Sequence, residues 1–173
     1  MSLEVIDAVR TGTVIGLAAL AAISDLRTRK IPNRWTLPAL ALALVIASIG
    51  GVEQLLWAVE GLGLAVAFSV PLWALGALGG GDAKLLWAMG ALLGPQGFLV
   101  ALVWTALAGG ALAVHAAVQR GTLTGVVKDT AALAVHAVTL GNRGHRKTLG
   151  TVGALAIPYG VAIAIGAVMA RMS

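Results

Sequence analysis

The sequence Asp25-Leu26-Arg27-Thr28-Arg29-Lys30-Ile31-Pro32-Asn33 interrupts an otherwise apolar chain, and a second polar stretch, Gly79-Gly80-Gly81-Asp82-Ala83-Lys84, interrupts it again. Each stretch places one aspartate at the boundary of a strongly apolar segment. Because a carboxylate at a membrane boundary is energetically costly, a pair of them indicates a candidate functional site. The two stretches also separate the apolar segments from which the fold is built.

The composition is that of an integral membrane protein. The 173 residues are 59% hydrophobic and 11% charged, with a mean hydropathy of +0.94, whereas about one-quarter of a soluble domain is charged. We therefore expect a single integral membrane domain over residues 1–173. The sequence has no cysteine and only three scattered histidines, so we expect no metal site and no cofactor. No nucleic-acid-binding motif accompanies the net charge of +5, which favours lipid over nucleic acid as a partner.

The apolar segments predict an all-α fold with six transmembrane helices, because a spanning helix needs about 20 mostly apolar residues. These segments are residues 5–24, 35–51, 54–78, 84–94, 96–118 and 150–171. Residues 119–149 are more polar and their apolar centre is short for a span. We expect this stretch to form a cytoplasmic amphipathic helix between the fifth and sixth spans. A substrate gate and a lipid-binding arm are the alternatives for it.

The distribution of basic residues predicts the orientation of the chain. The loops after the first, third and fifth spans contain ten of the 12 Lys and Arg residues. The positive-inside rule makes these loops cytoplasmic and leaves both termini outside. Asp25 and Asp82 then lie at the same cytoplasmic face, although 82 − 25 = 57 residues separate them in sequence.

Two carboxylates at one membrane depth are suited to acid–base chemistry. When they are close they do not both ionise readily, so one retains a proton and the other acts as a base. In aspartic proteases one such group deprotonates a water molecule while the other protonates the scissile carbonyl oxygen. The glycines before Asp82 leave room for a substrate backbone. Lys84, Arg27 and Lys30 are candidates for tuning the pair or for binding an acidic group of the substrate.

Asp25 and Asp82 also have purely structural interpretations. Asp82 follows a glycine turn and precedes a helix, where an N-cap aspartate would stand. Asp25 has Arg27 and Arg29 as nearby partners for ion pairs in a solvated loop. A non-enzymatic membrane protein, either a transporter subunit or an assembly scaffold, is the alternative function. Transporters usually place polar residues near the bilayer midplane between internal repeats, and the sequence shows no repeat.

Together, the two polar stretches resemble the type IV prepilin peptidases, which are GxGD intramembrane aspartic proteases. Asp25-x-Arg27 with Ile31-Pro32-Asn33 is similar to the first aspartate motif of that family, and Gly79-x-Gly81-Asp82-x-Lys84 is similar to its GxGD motif. Ile157-Pro158-Tyr159-Gly160 is similar to a pattern in the last span. The resemblance covers nearly the whole chain. It implies that Asp25 and Asp82 are the catalytic pair and that Gly79 and Gly81 form the active-site loop.

The resemblance also implies a substrate, a location and a subgroup. Members of the family remove the short basic leader from prepilins or pseudopilins at the cytoplasmic membrane boundary. The chain is similar to the short, peptidase-only form of the CpaA/TadV type, which serves Flp (type IVb) pili, so no methyltransferase activity is expected. Archaeal preflagellin peptidases remain an alternative subgroup. We expect a multi-pass protein of the bacterial inner membrane whose active site faces the cytoplasm, and the sequence predicts no oligomeric state.

Overall fold

The computed structural model describes residues 3–119 and 159–173, and every regular element in them is an α-helix. The helices are α1 (Leu3–Thr28), α2 (Asn33–Ile49), α3 (Val52–Ala74), α4 (Gly80–Gln119) and α5 (Tyr159–Met172). The all-α prediction is therefore confirmed for the described residues. The surface helix predicted for residues 119–149 lies outside them beyond Gln119, and so does the beginning of the predicted span at residues 150–171.

The chain divides into two compact units. One contains residues up to Gly109 together with Pro158–Ser173, and the other contains Gly110–Ile157.

Three of the described helices are long and apolar enough to cross a membrane. They comprise Glu4–Thr28, Val52–Ala74 and Gly80–Ala116, while the helices Asn33–Ile49 and Tyr159–Met172 are apolar but shorter. Large apolar side chains such as Ile15, Leu64 and Val103 remain exposed on these helices, as is typical of surfaces that face lipid. These features identify a membrane protein. The count of six spans and the orientation of the chain remain predictions.

A single glycine breaks α4. Gly94 has φ 67° and ψ −176°, a combination that only glycine adopts readily. Pro95 follows it and is suited to the first turn of the second half, because that turn needs no proline N–H. The break lies where the sequence predicted the boundary between the spans 84–94 and 96–118. The first half of α4 forms the centre of the core, and its side chains Leu85, Met89 and Leu92 are at most 1% exposed.

Helices α3 and α4 pack against each other through their glycines. A Cβ placed on Gly90 would lie 2.5 Å from the carbonyl oxygen of Gly61, so the two backbones are in direct contact. Small residues allow membrane helices to approach this closely. The indole Nε1 of Trp87 also donates a 2.7 Å hydrogen bond to Ser69 Oγ across the same interface. By contrast, nothing lies within 4 Å of a Cβ placed on Gly12 or Gly16, so their GxxxG spacing marks no helix contact in the described residues.

Helices α1 and α5 are antiparallel neighbours. At one end, Asp7 of α1 forms an ion pair with Arg171 of α5, and Arg171 Nε donates a 2.7 Å hydrogen bond to Thr11 Oγ1. At the other end, Gly160 of α5 contacts Asp25 of α1. The end of α1 and the beginning of α5 therefore come together at the end of the bundle that carries the first polar stretch.

Candidate active site

Asp25 lies one turn before the end of α1 and is almost completely buried, with 7% of its surface exposed. Its Oδ2 accepts a 2.7 Å hydrogen bond from the backbone N–H of Gly160. Because Gly160 is the second residue of α5, this N–H has no partner within its own helix. A carboxylate at that position satisfies the donor and interacts favourably with the helix dipole. The motif of the last predicted span therefore contacts the first aspartate directly.

The alternative interpretation of Asp25, as a partner of neighbouring arginines in a solvated loop, does not describe this arrangement. Arg27 and Arg29 are both exposed, whereas Asp25 is buried. Within residues 3–119 and 159–173, no ion pair joins either arginine to Asp25. The carboxylate is held by α5.

Asp82 is the third residue of α4 and is half-buried. Its side chain folds back over the beginning of the helix, because a Cβ placed on Gly79 would lie only 2.7 Å from Asp82 Oδ2. Gly79 thus leaves open the space that the carboxylate occupies. Asp82 stands inside the first turn, so it is not the N-cap residue that the structural interpretation proposed, although it does approach the unpaired backbone groups at the helix start.

One buried residue, Ile31, contacts both Gly160, whose N–H holds Asp25, and Gly81, which immediately precedes Asp82. A Cβ placed on Gly160 would lie 2.9 Å from Ile31 Cδ1, and a Cβ placed on Gly81 would lie 2.7 Å from the Ile31 carbonyl oxygen. Ile31 is 8% exposed. Because Gly160 holds Asp25 and Gly81 precedes Asp82, these contacts place the two aspartates at the same end of the bundle.

The basic residues singled out in the sequence have different environments. Lys84 Nζ donates a 3.0 Å hydrogen bond to Asn33 Oδ1 and so joins the second polar stretch to the first. Arg27 and Lys30 have exposed side chains. The backbone carbonyl of Lys30 accepts hydrogen bonds from two hydroxyl groups at the end of α1, at 2.8 Å from Ser24 Oγ and at 3.2 Å from Thr28 Oγ1.

Three features of the site could not be read from residue types. They are the Gly160 N–H as the partner of Asp25, Ile31 as a contact of both Gly160 and Gly81, and Asn33 as the partner of Lys84. The motifs containing these residues are visible in the sequence. A backbone donor and a steric contact have no side-chain signature, however, so only the three-dimensional arrangement identifies them.

This arrangement is suited to acid–base catalysis. It presents one buried, hydrogen-bonded carboxylate beside a second, half-buried one, at the end of an apolar bundle. Such a pair can take a proton at one oxygen while it supplies a proton from another. Among the described residues, no group of three His, Cys, Asp or Glu side chains is placed to hold a metal ion.

Comparison with known proteins gives one match. Residues 13–114 match the model of the type IV leader peptidase family, whereas no curated protein and no solved structure matches the chain. The matched range covers more than half of the 173 residues. It includes both polar stretches with Asp25 and Asp82, while Gly160 lies outside it. The chain therefore belongs to the type IV leader peptidase family.

Proposed function

We propose that the protein is an aspartic endopeptidase that removes the short basic leader peptide from type IV prepilins, with Asp25 and Asp82 as its catalytic pair. One observation carries the proposal: Ile31 contacts both Gly160, which holds the buried Asp25, and Gly81, which precedes the half-buried Asp82, so the two aspartates lie at the same end of the bundle. Membership of the leader peptidase family supports the choice of a prepilin as the substrate.

The chemistry follows that of other carboxylate pairs. One ionised aspartate accepts a proton from a water molecule, and the water oxygen forms a bond to the carbonyl carbon of the scissile peptide. The other aspartate gives its proton to the carbonyl oxygen, which yields a tetrahedral diol. The C–N bond then breaks as the departing amine takes a proton from the aspartate that received it from water. At the same time one diol hydroxyl returns its proton to the other aspartate and becomes the C=O of the new carboxyl group, which restores the pair. The Gly160 N–H keeps Asp25 oriented throughout, because it is part of a helix backbone.

We further propose that the catalytic end faces the cytoplasm, so that cleavage occurs at the cytoplasmic membrane boundary. Arg27, Arg29 and Lys30 are exposed at this end, beside the end of α1. The positive-inside rule favours a cytoplasmic position for such a loop. Service to Flp-type pili, location in the bacterial inner membrane and the lack of methyltransferase activity remain predictions from the resemblance.

The test is cleavage of a prepilin by variants in which one carboxylate is neutralised. The protein is co-expressed with a prepilin from the same genome, and the mass of the N-terminal part of the prepilin reports leader loss. We expect wild type to remove the leader and Asp25→Asn or Asp82→Asn to leave it intact, since each variant removes one member of the pair. Asp7→Asn is the matched control, because it neutralises an exposed aspartate at the other end of α1.

The outcomes separate the proposed enzyme from the non-enzymatic alternative. Cleavage that persists in Asp25→Asn or in Asp82→Asn would exclude that residue from the mechanism. If well-folded wild-type protein cleaved no member of a panel of prepilins, the protein would instead be a membrane scaffold or a transporter subunit. Membrane insertion of each variant is checked on the same samples.

A further inference from the structure

We propose that Ile31 is a positioning residue for the catalytic pair, holding the separation between Asp25 and Asp82 through one contact on each side. The inference rests on the proposed function and goes beyond it, because Ile31 carries no reactive group. The residue is buried between Gly160, whose N–H holds Asp25, and Gly81, which immediately precedes Asp82.

Ile31 is coupled to α1, the helix that carries Asp25. The Asp25 carbonyl oxygen accepts a 2.9 Å hydrogen bond from the Arg29 N–H, and Arg29 has a left-handed φ of 51°. The hydroxyl groups of Ser24 and Thr28 both donate to the Lys30 carbonyl. The chain therefore turns tightly at the end of α1 and is held to it until the residue before Ile31. As a result, the position of Ile31 follows that of α1.

The side chain of Ile31 contacts α5 at Gly160. A Cβ placed on Gly160 would lie 2.9 Å from Ile31 Cδ1, 3.0 Å from Asp25 Cβ and 3.0 Å from Asp25 Oδ2. The side chain of Ile31 and the catalytic carboxylate thus lie against the same glycine. Any displacement of the Ile31 side chain toward α5 would alter the space in which Gly160 holds Asp25.

Ile31 also contacts α4, at Gly81. Here the carbonyl oxygen and the Cβ of Ile31 make the contact, because they would lie 2.7 Å and 3.1 Å from a Cβ placed on Gly81. The hydrogen bond from Lys84 to Asn33 fastens the same loop to α4 one turn further on. Ile31 therefore contacts the glycine that holds Asp25 through its Cδ1, and the glycine that precedes Asp82 through its carbonyl oxygen and Cβ.

The test measures kcat and KM for a prepilin with a short basic leader, reconstituted with the purified full chain in lipid vesicles. Misplacement of a catalytic group by about 1 Å lowers a rate by up to about 100-fold. We expect Ile31→Ala to lower kcat by about 10- to 100-fold while KM changes by less than about twofold, because the substrate contacts are retained. Ile46→Ala is the matched control, since Ile46 is another buried isoleucine, outside both polar stretches.

A steric rescue distinguishes positioning from a general loss of stability. Gly160→Ala adds a methyl group between Ile31 Cδ1 and Asp25, and we expect it to lower kcat at least about tenfold. Ile31→Val deletes Cδ1 and nothing else from that contact. The double variant should recover at least about fivefold of kcat relative to Gly160→Ala, because α5 can then shift away from Asp25. Ile31→Val should give no recovery of kcat in Gly81→Ala, because that contact is with the carbonyl oxygen and the Cβ of residue 31, which valine retains.

Asp25→Asn and Asp82→Asn serve as references in the same vesicles. If they are inactive while Ile31→Ala retains the wild-type kcat, the positioning role is wrong and the proposed function stands. If Ile31→Val restored kcat equally in Gly160→Ala and in Gly81→Ala, the positioning role would also be wrong. Cleavage by the two asparagine variants would overturn the proposed function itself, together with the inference that rests on it. If Ile31→Ala does not fold, the Ile31→Val single variant replaces it in the test, and we expect its kcat to be severalfold lower than that of wild type.

Discussion

Replacing Gly94 by alanine tests the break in α4, which separates the buried first half of the helix from the second. Its φ of 67° and ψ of −176° lie in a region that is essentially restricted to glycine, and a side chain there costs about 1–3 kcal/mol. The added Cβ would also meet the indole ring of Trp57, with Cδ2 at 2.5 Å and other ring atoms closer. Inserting a methyl group into such a contact costs about a further 1–3 kcal/mol. We therefore expect Gly94→Ala to lower the free energy of unfolding by about 2–6 kcal/mol.

The ring of Trp57 has little freedom to move away from the new methyl group. The guanidinium of Arg10 lies over it, 4.6 Å from the ring centroid, and Arg10 Nη1 donates a 2.7 Å hydrogen bond to Gln54 Oε1. Arg10 is itself 5% exposed. A shift of the ring would therefore disturb a buried charged group, which is costly.

The assay is reversible unfolding of the purified protein by sodium dodecyl sulfate in mixed micelles, followed by far-UV circular dichroism. In a Trp57→Leu background the ring is gone, so we expect Gly94→Ala to cost only the backbone contribution of about 1–3 kcal/mol. Gly63→Ala is the control, because Gly63 lies on an exposed part of α3 with nothing within 4 Å of its added Cβ. An unfolding free energy within about 0.5 kcal/mol of wild type for Gly94→Ala would refute the reasoning.

Two further predictions concern buried hydroxyl groups. Thr36 is fully buried and its Oγ1 has no hydrogen-bond partner among the described residues, so Thr36→Val should raise the free energy of unfolding by about 1–3 kcal/mol; a decrease in the same micelle titration would show that the hydroxyl has a partner. Trp87→Phe removes the donor to Ser69 Oγ and should cost about 0.5–2 kcal/mol. Adding Ser69→Ala to Trp87→Phe should then cost less than Ser69→Ala alone, and full additivity of the two losses would contradict a shared hydrogen bond.

The helical class and most helix boundaries could be predicted because they depend on local properties of the chain. Long apolar runs indicate helices that cross a membrane, and polar stretches at residues 25–33 and 79–84 mark their ends. The Gly94-Pro95 pair predicted a boundary between two spans, and the structure breaks α4 into two helical halves at Gly94. A glycine followed by proline ends one helix and suits the start of another, so this boundary needs no tertiary information.

The helix contacts made by glycines could not be predicted from their spacing in the sequence. GxxxG spacing occurs at Gly12 with Gly16 and at Gly90 with Gly94, yet only the second pair contacts another helix in the described residues. Spacing describes one face of one helix and says nothing of what faces it. Gly61, which approaches Gly90 from α3, belongs to no GxxxG pair.

The sequence by itself determined that this chain is an α-helical membrane protein with two aspartates at helix ends, because hydropathy, helix length and motif spacing are properties of consecutive residues. Only the tertiary structure decided that the Gly160 N–H holds Asp25 and that Ile31 contacts both Gly160 and Gly81. Asp25 and Gly160 are 135 positions apart in sequence, and all of these contacts depend on the packing of α1, α4 and α5 at one end of the bundle. A backbone donor and a steric contact arise only from that packing.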